Sequence, residues 1–581
     1  MLSPILRRLN WMAILATASL IAAVAVGCAG SAQPTPAPSK PASQAAPATP
    51  AAPAPTKAPA AAPTAAPTAA AKAAPGGAII FPNIGITEPP TTDPAMAGDC
   101  NSMQVVSLVY SGLIKQDKDL RPAPDAATNW DVSKDGLVYT FHLRKDIKFS
   151  DGTPATAEDF AYSINRALSP ALKSANARTY LGNIKGAQDV AAGKADKVAG
   201  IKVVDPYTLE ITLEKPISFF LDTFTICTAS VVKKAAVEAN SGDFTKVETN
   251  VGTGPFMIKE WKHNSEMVLV PNPYWYGGKV QIAEYRMPFV KDAATAYKMF
   301  LTGQADLTTV PLDNLADAEK QPDFLRAPRL RTTTLVIDIN KAPFDNPKLR
   351  QALAHALDRA TIDNVVLKGQ LAPISGIIPP GMAGHNPSIK GYEYDKEKAK
   401  ALLAEAGYPG GKGLPPITLT YPTGGPDPDP ARTVTAMQQM WKEVGIDVKL
   451  NGMDFNAFIK ARNEHSLPFI YTGWGADWPH PQNYLSLLLH SGMGTNWCEY
   501  NNPKYDKLVD EADVTFADEK KQMGLYAEAE QMAISDVAWI PIGSHVRMLR
   551  MKQGIQGFVP NPSWTLGVMA PDWTKVTVAA R

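Results

Sequence analysis

Residues 31–76 hold 20 alanines and 12 prolines, with no aromatic and no acidic side chain. A segment of this composition has too little apolar bulk to offset the entropy of ordering it, so it does not fold. Its prolines stiffen it toward an extended form of about 3.1 Å per residue. The folding problem therefore falls on residues 77–581, where the composition becomes that of a globular protein. The chain carries 57 basic and 56 acidic side chains, a balance that argues against a nucleic-acid binder. A body of this length is expected to divide into more than one core.

The segment before the Ala/Pro stretch reads as an address. Arg7 and Arg8 precede the uncharged 16-residue run Trp11–Val26, which ends at Gly27 and Cys28. The run is shorter than the ~20 residues a spanning helix needs, and the positive-then-apolar order is that of an export signal. Ala25-Val26-Gly27-Cys28 resembles the bacterial lipobox, with alanine where leucine is usual. The resemblance implies removal of residues 1–27 and lipidation of Cys28; a plain secretory signal is the alternative. Each buried CH₂ of an acyl chain contributes roughly 0.8 kcal/mol of membrane affinity. Residues 28–76 then form a tether, and the expected location is the outer face of the cytoplasmic membrane. No later segment is apolar enough to enter a bilayer.

In the body, Leu137, Tyr139, Phe141 and Leu143 alternate with Val138, Thr140, His142 and Arg144, as in a half-buried strand. Thr156-Ala157-Glu158-Asp159 is a capping box, and the helix it opens carries Phe160, Ile164 and Leu168 on one face. Leu209–Leu213 and Leu335–Ile339 read as strands. Asn346-Pro347 starts a helix as cap and first residue. Asp395 opens another, and Ala431–Glu443 is a third, followed by a strand at Ile446–Leu450. Strands alternating with helices predict an α/β architecture on mixed sheets.

Catalytic signatures do not emerge. The sequence has no His-Glu-x-x-His, no Gly-x-Ser-x-Gly and no phosphate loop, and Gly252 and Gly254 lack the third glycine of a dinucleotide fingerprint. No cofactor is expected. Cys28, Cys100, Cys227 and Cys498 form no Cys-x-x-Cys, and once Cys28 is lipidated the other three allow at most one disulfide. His142 and His355 read as surface residues. His480 and His490, ten apart, are a weak metal signal. Asp427-Pro-Asp429 reads as a pair of solvated turn acids.

Several segments carry a resemblance. Asp125-Ala-Ala-Thr-Asn-Trp130, Asp135–Arg144, Lys148-Phe-Ser-Asp-Gly-Thr-Pro154 and Ala157-Glu-Asp-Phe160 follow one another closely. Gly252-Thr-Gly-Pro-Phe256, Pro271-Asn-Pro-Tyr-Trp275, Gly473-Trp-Gly-Ala-Asp-Trp478 and Tyr500-Asn-Asn-Pro-Lys-Tyr505 come later in the same order. This set resembles the extracellular solute-binding proteins, family 5, of ABC importers, which take up oligopeptides, dipeptides and nickel. The resemblance covers residues 79–575. It implies a two-lobed, type II periplasmic-binding-protein-like clamshell with an extra inserted subdomain. Lobe I would combine 77–120, 254–335 and 541–581, the inserted subdomain would be 121–253, and lobe II 336–540. Closure about a hinge between lobes buries the ligand.

A receptor for many peptides does best by bonding their common backbone and by pairing the one charge at their front, the α-ammonium. In the family this is the task of an aspartate in a Trp-x-x-Asp-aromatic motif, which here falls on Asp477, with Trp474 and Trp478 as apolar walls and Tyr484 as a further candidate. Cys100 and Asn101, in Gly98–Met103, align by spacing with a ligand-facing loop; the alternative is a buried Cys100 without a chemical role. No arginine stands out as the receiver of the peptide carboxylate. The implied partners are short peptides and the permease and ATPase subunits of an importer, with the membrane reached through the lipid; a monomer is expected. The competing ligands are an oligosaccharide, stacked on the tryptophans, and a nickel or metal chelate.

Overall fold

The computed structural model describes residues 76–85, 88–174, 176–425, 427–560, 562–563 and 572–579. The signal segment, Cys28 and the Ala/Pro stretch through residue 75 lie outside the described residues. Among the described residues no helix is long and apolar enough to cross a membrane.

Strand β1 (Ala78–Ile80) opens the described chain and α1 (Cys100–Val109) follows. The next segment builds its own antiparallel sheet from β2 (Ala127–Val132), β3 (Val138–Leu143), β4 (Ile201–Asp205) and β5 (Thr208–Thr212), in the order β2-β3-β5-β4. Helix α2 (Ala157–Leu168) starts at the expected capping box: Thr156 N–H donates to Asp159 Oδ2 at 2.8 Å. Its Phe160, Ile164 and Leu168 are all buried, as are Tyr139, Phe141 and Leu143 of β3. Burying each of these large side chains contributes on the order of 1.5–3 kcal/mol.

The chain then returns to the first sheet with β6 (Phe256–Lys262), β7 (Glu266–Pro271) and β8 (Glu284–Val290), to which β1 adds in parallel. The two glycines that fail as a dinucleotide loop have a packing role here. A Cβ on Gly252 would lie 2.0 Å from the Val109 carbonyl oxygen, and one on Gly254 would lie 2.7 Å from the Val109 carbonyl carbon. Only glycine lets this loop close on the end of α1. One hydrophobic core runs through this whole half, from Ile79 and Val106 through Phe141, Phe160 and Phe224 to Tyr285.

The other half rests on a seven-stranded mixed sheet. Its members are β9 (Leu307–Thr309), β10 (Phe324–Ile337), β11 (Ile417–Thr423), β12 (Val448–Asp454), β13 (Phe469–Gly475) and β14 (Trp539–Met551), with the short pair Leu371–Ala372 beside β14. The order is β9-β14-β10-β13-β11-β12. Helices Pro347–His355 and Pro430–Glu443 cover it, and the buried Trp441 indole donates to the Leu353 carbonyl at 3.0 Å. Strands β10 and β14 are 14 and 13 residues long. Their outer ends pair near β9, and their inner ends enter the second core around Leu335 and Ile540. They are thus the rails between the two halves.

One histidine departs from the sequence reading. His355 is 5% exposed rather than a surface residue; its Nδ1 is 2.6 Å from the Glu393 carbonyl. The reason is tertiary: the Tyr392 loop closes over a helix face that helical spacing alone leaves outside the apolar stripe. Cys227 and Cys498 are free, buried thiols, so neither takes part in a disulfide.

Candidate ligand-binding site

Strand β13 is buried along its whole length, which fits its central place in the sheet. It pairs with β10 so that Arg331 faces Gly475 and Thr333 faces Gly473. Past Gly475 the ladder continues for one bond, Ala476 N–H to Leu330 O at 2.8 Å, and then the chain turns away. Asp477 sits at that departure.

The residues flanking Asp477 belong to different cores. Trp474 is 6% exposed and packs with Trp497 and Tyr484 in the core beneath β13. Its Nε1 donates to Asn483 Oδ1 at 2.9 Å, and the Asp477 amide donates to the same oxygen at 3.1 Å. Trp478, 2% exposed, joins the core of the opposite half. It stacks on Phe219 with centroids 6.0 Å apart and planes at 11°, and meets Tyr180 edge-on at 6.0 Å. Phe219 and Tyr180 come from the segment that carries β2–β5.

Asp477 itself is half-buried. Desolvation raises its carboxyl to about 7, and only its contact with Asn483 opposes the shift. No cation forms an ion pair with it among the described residues. Two buried donors beside it, Trp478 Nε1 and Asn483 Nδ2, have no hydrogen-bond partner among the described residues. Each buried polar atom without a partner calls for an explanation, of which a bound water or ligand is one.

Tyr484 is fully buried, and its hydroxyl donates to the carbonyl of Leu330 or of Trp474, each 3.0 Å away. It holds the turn after β13 rather than facing open space. Cys100 and Asn101 lie not in a loop but in the first turn of α1. Asp99 caps that turn by accepting from the Asn101 and Ser102 amides, each at 3.0 Å.

A second polar group lies on the face of the sheet that carries Arg331 and Thr333. Asp427 is not a solvated turn acid; it is 7% exposed. Arg331, 4% exposed, approaches it with Nη2 at 2.7 Å and Nε at 2.8 Å. Thr333 Oγ1 donates to it at 3.2 Å, and His545 Nε2 of β14 lies 3.1 Å away. Burial by itself would raise the Asp427 carboxyl, but Arg331 and His545 outweigh burial and hold it well below the usual carboxylate range. Gly473 makes room for this pair, since a Cβ there would lie 2.7 Å from Arg331 Nη2 and 2.9 Å from Asp427 Oδ1. Pro-Asp-Pro composition reads as a loop, and only the long-range register of β10, β13 and β14 shows that the loop folds inward. Among the described residues no group of three or more His, Cys, Asp or Glu is placed to hold a metal ion.

This frame recurs in known proteins. The model of the bacterial extracellular solute-binding proteins, family 5, matches residues 121–496. The periplasmic oligopeptide-binding protein OppA of Escherichia coli is 33% identical over 464 residues, covering 78% of this chain and 84% of the relative. Heme-binding protein A of Haemophilus influenzae is 29% identical over 479 residues, covering 78% and 85%. The structure of the E. coli murein tripeptide binding protein MppA superposes with a TM-score of 0.71 at 28% identity, over 88% of this chain and all of that one. The fold is therefore the two-lobed, type II periplasmic binding-protein clamshell. The chain belongs to the bacterial extracellular solute-binding proteins, family 5: it is a binding component of an ABC importer and not an enzyme.

Proposed function

We propose that the protein is a lipid-anchored receptor that captures oligopeptides between its lobes and delivers them to a membrane permease. The division into lobe I (77–120, 254–335, 541–581), subdomain (121–253) and lobe II (336–540) follows the same reading, with β10 and β14 as the hinge. Asp477 receives the α-ammonium of the peptide. The observation that carries this is a desolvated carboxylate with no cation, and two unpartnered buried donors at its side, among the described residues. Such a group is costly in the free protein and becomes favourable when an ammonium arrives. On this reading Trp478 Nε1 donates to a carbonyl of the peptide, in keeping with recognition through main chain. Trp478, Phe219 and Tyr180 form the apolar wall, while Trp474 and Tyr484 act from beneath by fixing the turn. Cys28 anchors the chain and residues 28–76 tether it, as a monomer, beside the permease and ATPase subunits.

An oligosaccharide needs open aromatic faces. Trp474 is packed on Trp497, and Trp478 on Phe219 and Tyr180, which weighs against that ligand. The test is native mass spectrometry of the purified protein followed by sequencing of what it releases. Mixed short peptides support the proposal. A single sugar, heme or metal adduct overturns it.

A further inference from the structure

Beside the inner end of β14 lies a cavity of about 660 Å³, a volume within the range of small-molecule sites. Its walls are the turn after helix Pro347–His355, the segment after the short strand Leu371–Ala372, the loop 389–394, helix Glu519–Ser535 and the start of β14. No residue of the β13 turn, and none of the aromatics around Trp478 apart from it in the chain, lines this space. Its floor is apolar, with Leu357, Ile389 and Ile534 all buried.

The walls are held by bonds of their own. Lys390 N–H donates to Gln531 Oε1 at 2.8 Å, and Gln531 Nε2 donates back to the Lys390 carbonyl at 3.1 Å. The Tyr392 hydroxyl donates to the Ser535 carbonyl at 2.9 Å, and Asp395 N–H donates to the His355 carbonyl at 2.9 Å. The loop is thus pinned to two helices, and the space it encloses is preformed.

One cation is set into the wall. Arg359 is half-buried, and its Nε donates to the Pro541 carbonyl of β14 at 2.7 Å. Its Nη1 donates to the Tyr392 carbonyl at 2.9 Å, with the Leu357 carbonyl a longer contact at 3.5 Å. These bonds fix the guanidinium between strand and loop. Its Nη2, which carries two N–H donors, makes no hydrogen bond among the described residues and remains for a ligand. No carboxylate forms an ion pair with Arg359 among the described residues, and burial lowers its guanidinium to about 10 with nothing opposing. The adjacent Asp358 is engaged elsewhere: it accepts from the Thr361 amide at 3.0 Å and from the Thr361 hydroxyl at 2.7 Å. Lys390 and Glu393 stand on the exposed rim, where water and salt screen both. A rigid apolar pocket with one fixed guanidinium and unused donors is complementary to a carboxylate on an apolar body.

We infer that this cavity is a second ligand site, which takes a small carboxylic acid with its carboxylate on Arg359 and its apolar body against Leu357, Ile389 and Ile534. All of its lining comes from residues 357–541, so it forms without any residue of 77–335. The inference therefore does not rest on the peptide reading or on closure over Asp477.

The test is titration calorimetry of the full chain with phenylbutyrate, octanoate, phenylbutyramide and acetate. Both apolar acids should bind, the amide at least about tenfold more weakly than its acid, and acetate, which has the charge without the body, not detectably. Arg359→Gln should erase the preference for acid over amide. Because that variant also gives up the bonds to Pro541 and Tyr392, Ala360→Trp is the second one: it fills the cavity from an exposed lining position and should abolish binding of both acids. Acid binding that survives Ala360→Trp lies elsewhere and overturns the inference. So does equal binding of acid and amide, or no binding of either apolar acid at millimolar concentration.

Discussion

Asp427 and Asp477 lie beside the same sheet in opposite electrostatic states. Asp427 is saturated: Arg331, Thr333 and His545 all reach it, and its carboxyl stays ionised far below neutral pH. Asp477 has lost water without gaining a cation among the described residues, and its carboxyl is raised to about 7. One acid is part of the scaffold. The other has no counter-charge among the described residues, which is what the proposed role as ammonium partner requires. Burial alone therefore does not distinguish a structural carboxylate from a binding one; the presence or absence of a fixed counter-charge does.

The largest way to break this contrast is Asp427→Asn. It takes the carboxylate away from the buried Arg331 and should cost about 3–5 kcal/mol of stability in denaturant unfolding. A loss under 1 kcal/mol would mean that the pair is not structural. Next is Asp477→Asn, expected to weaken peptide binding by about 2–5 kcal/mol in calorimetry while leaving the unliganded fold intact. Unchanged affinity would remove Asp477 from the site.

The pH dependence of stability sharpens the comparison, because the two signs differ. The depressed Asp427 adds stability that is present above about pH 4 and is lost as pH falls through its folded value. The raised Asp477 holds its proton more tightly in the folded state, so it subtracts stability as pH climbs from about 4 through about 7. Thermal unfolding of unliganded Asp477→Asn should therefore gain on the wild type more at pH 8 than at pH 5. Peptide affinity should rise as pH passes through about 7 and fall again once the ligand amine deprotonates near 8. A flat affinity profile would contradict the ammonium pairing. The smallest expected effect is Asp99→Ala, which removes the cap of α1 and should cost about 1 kcal/mol by thermal unfolding.

What the sequence makes legible follows from local physics. The capping box at Thr156, the alternation in Leu137–Leu143 and the Asn346-Pro347 helix start all depend on neighbours in the chain, and they appear as expected. The family motif picks out Asp477 because its residues are contiguous. The rest of the site is assembled from distant parts. Tyr180 and Phe219 meet Trp478 across more than 250 residues, and Arg331 meets Asp427 across 96. A polar loop with two prolines gives no local sign that its first aspartate will be drawn into the sheet face, and Gly473 shows its purpose only once Arg331 lies beside it. His355 was hidden for the same reason, since a loop closing over a helix leaves no mark on the helix period.

The division of Trp474 and Trp478 between two cores has a mechanical consequence. Under the proposed division, Trp478 is carried by lobe II and packed on aromatics of the subdomain of lobe I, so it would act as a latch that parting the lobes unstacks from Phe219 and Tyr180. Such a latch sets how often the empty protein stands shut. Loosening it would tax every ligand by the same factor, whatever its chemistry, because observed affinity scales with the fraction of molecules already in the competent state. On the proposed reading, the tryptophan beside Asp477 governs the gain of the receptor and not its taste.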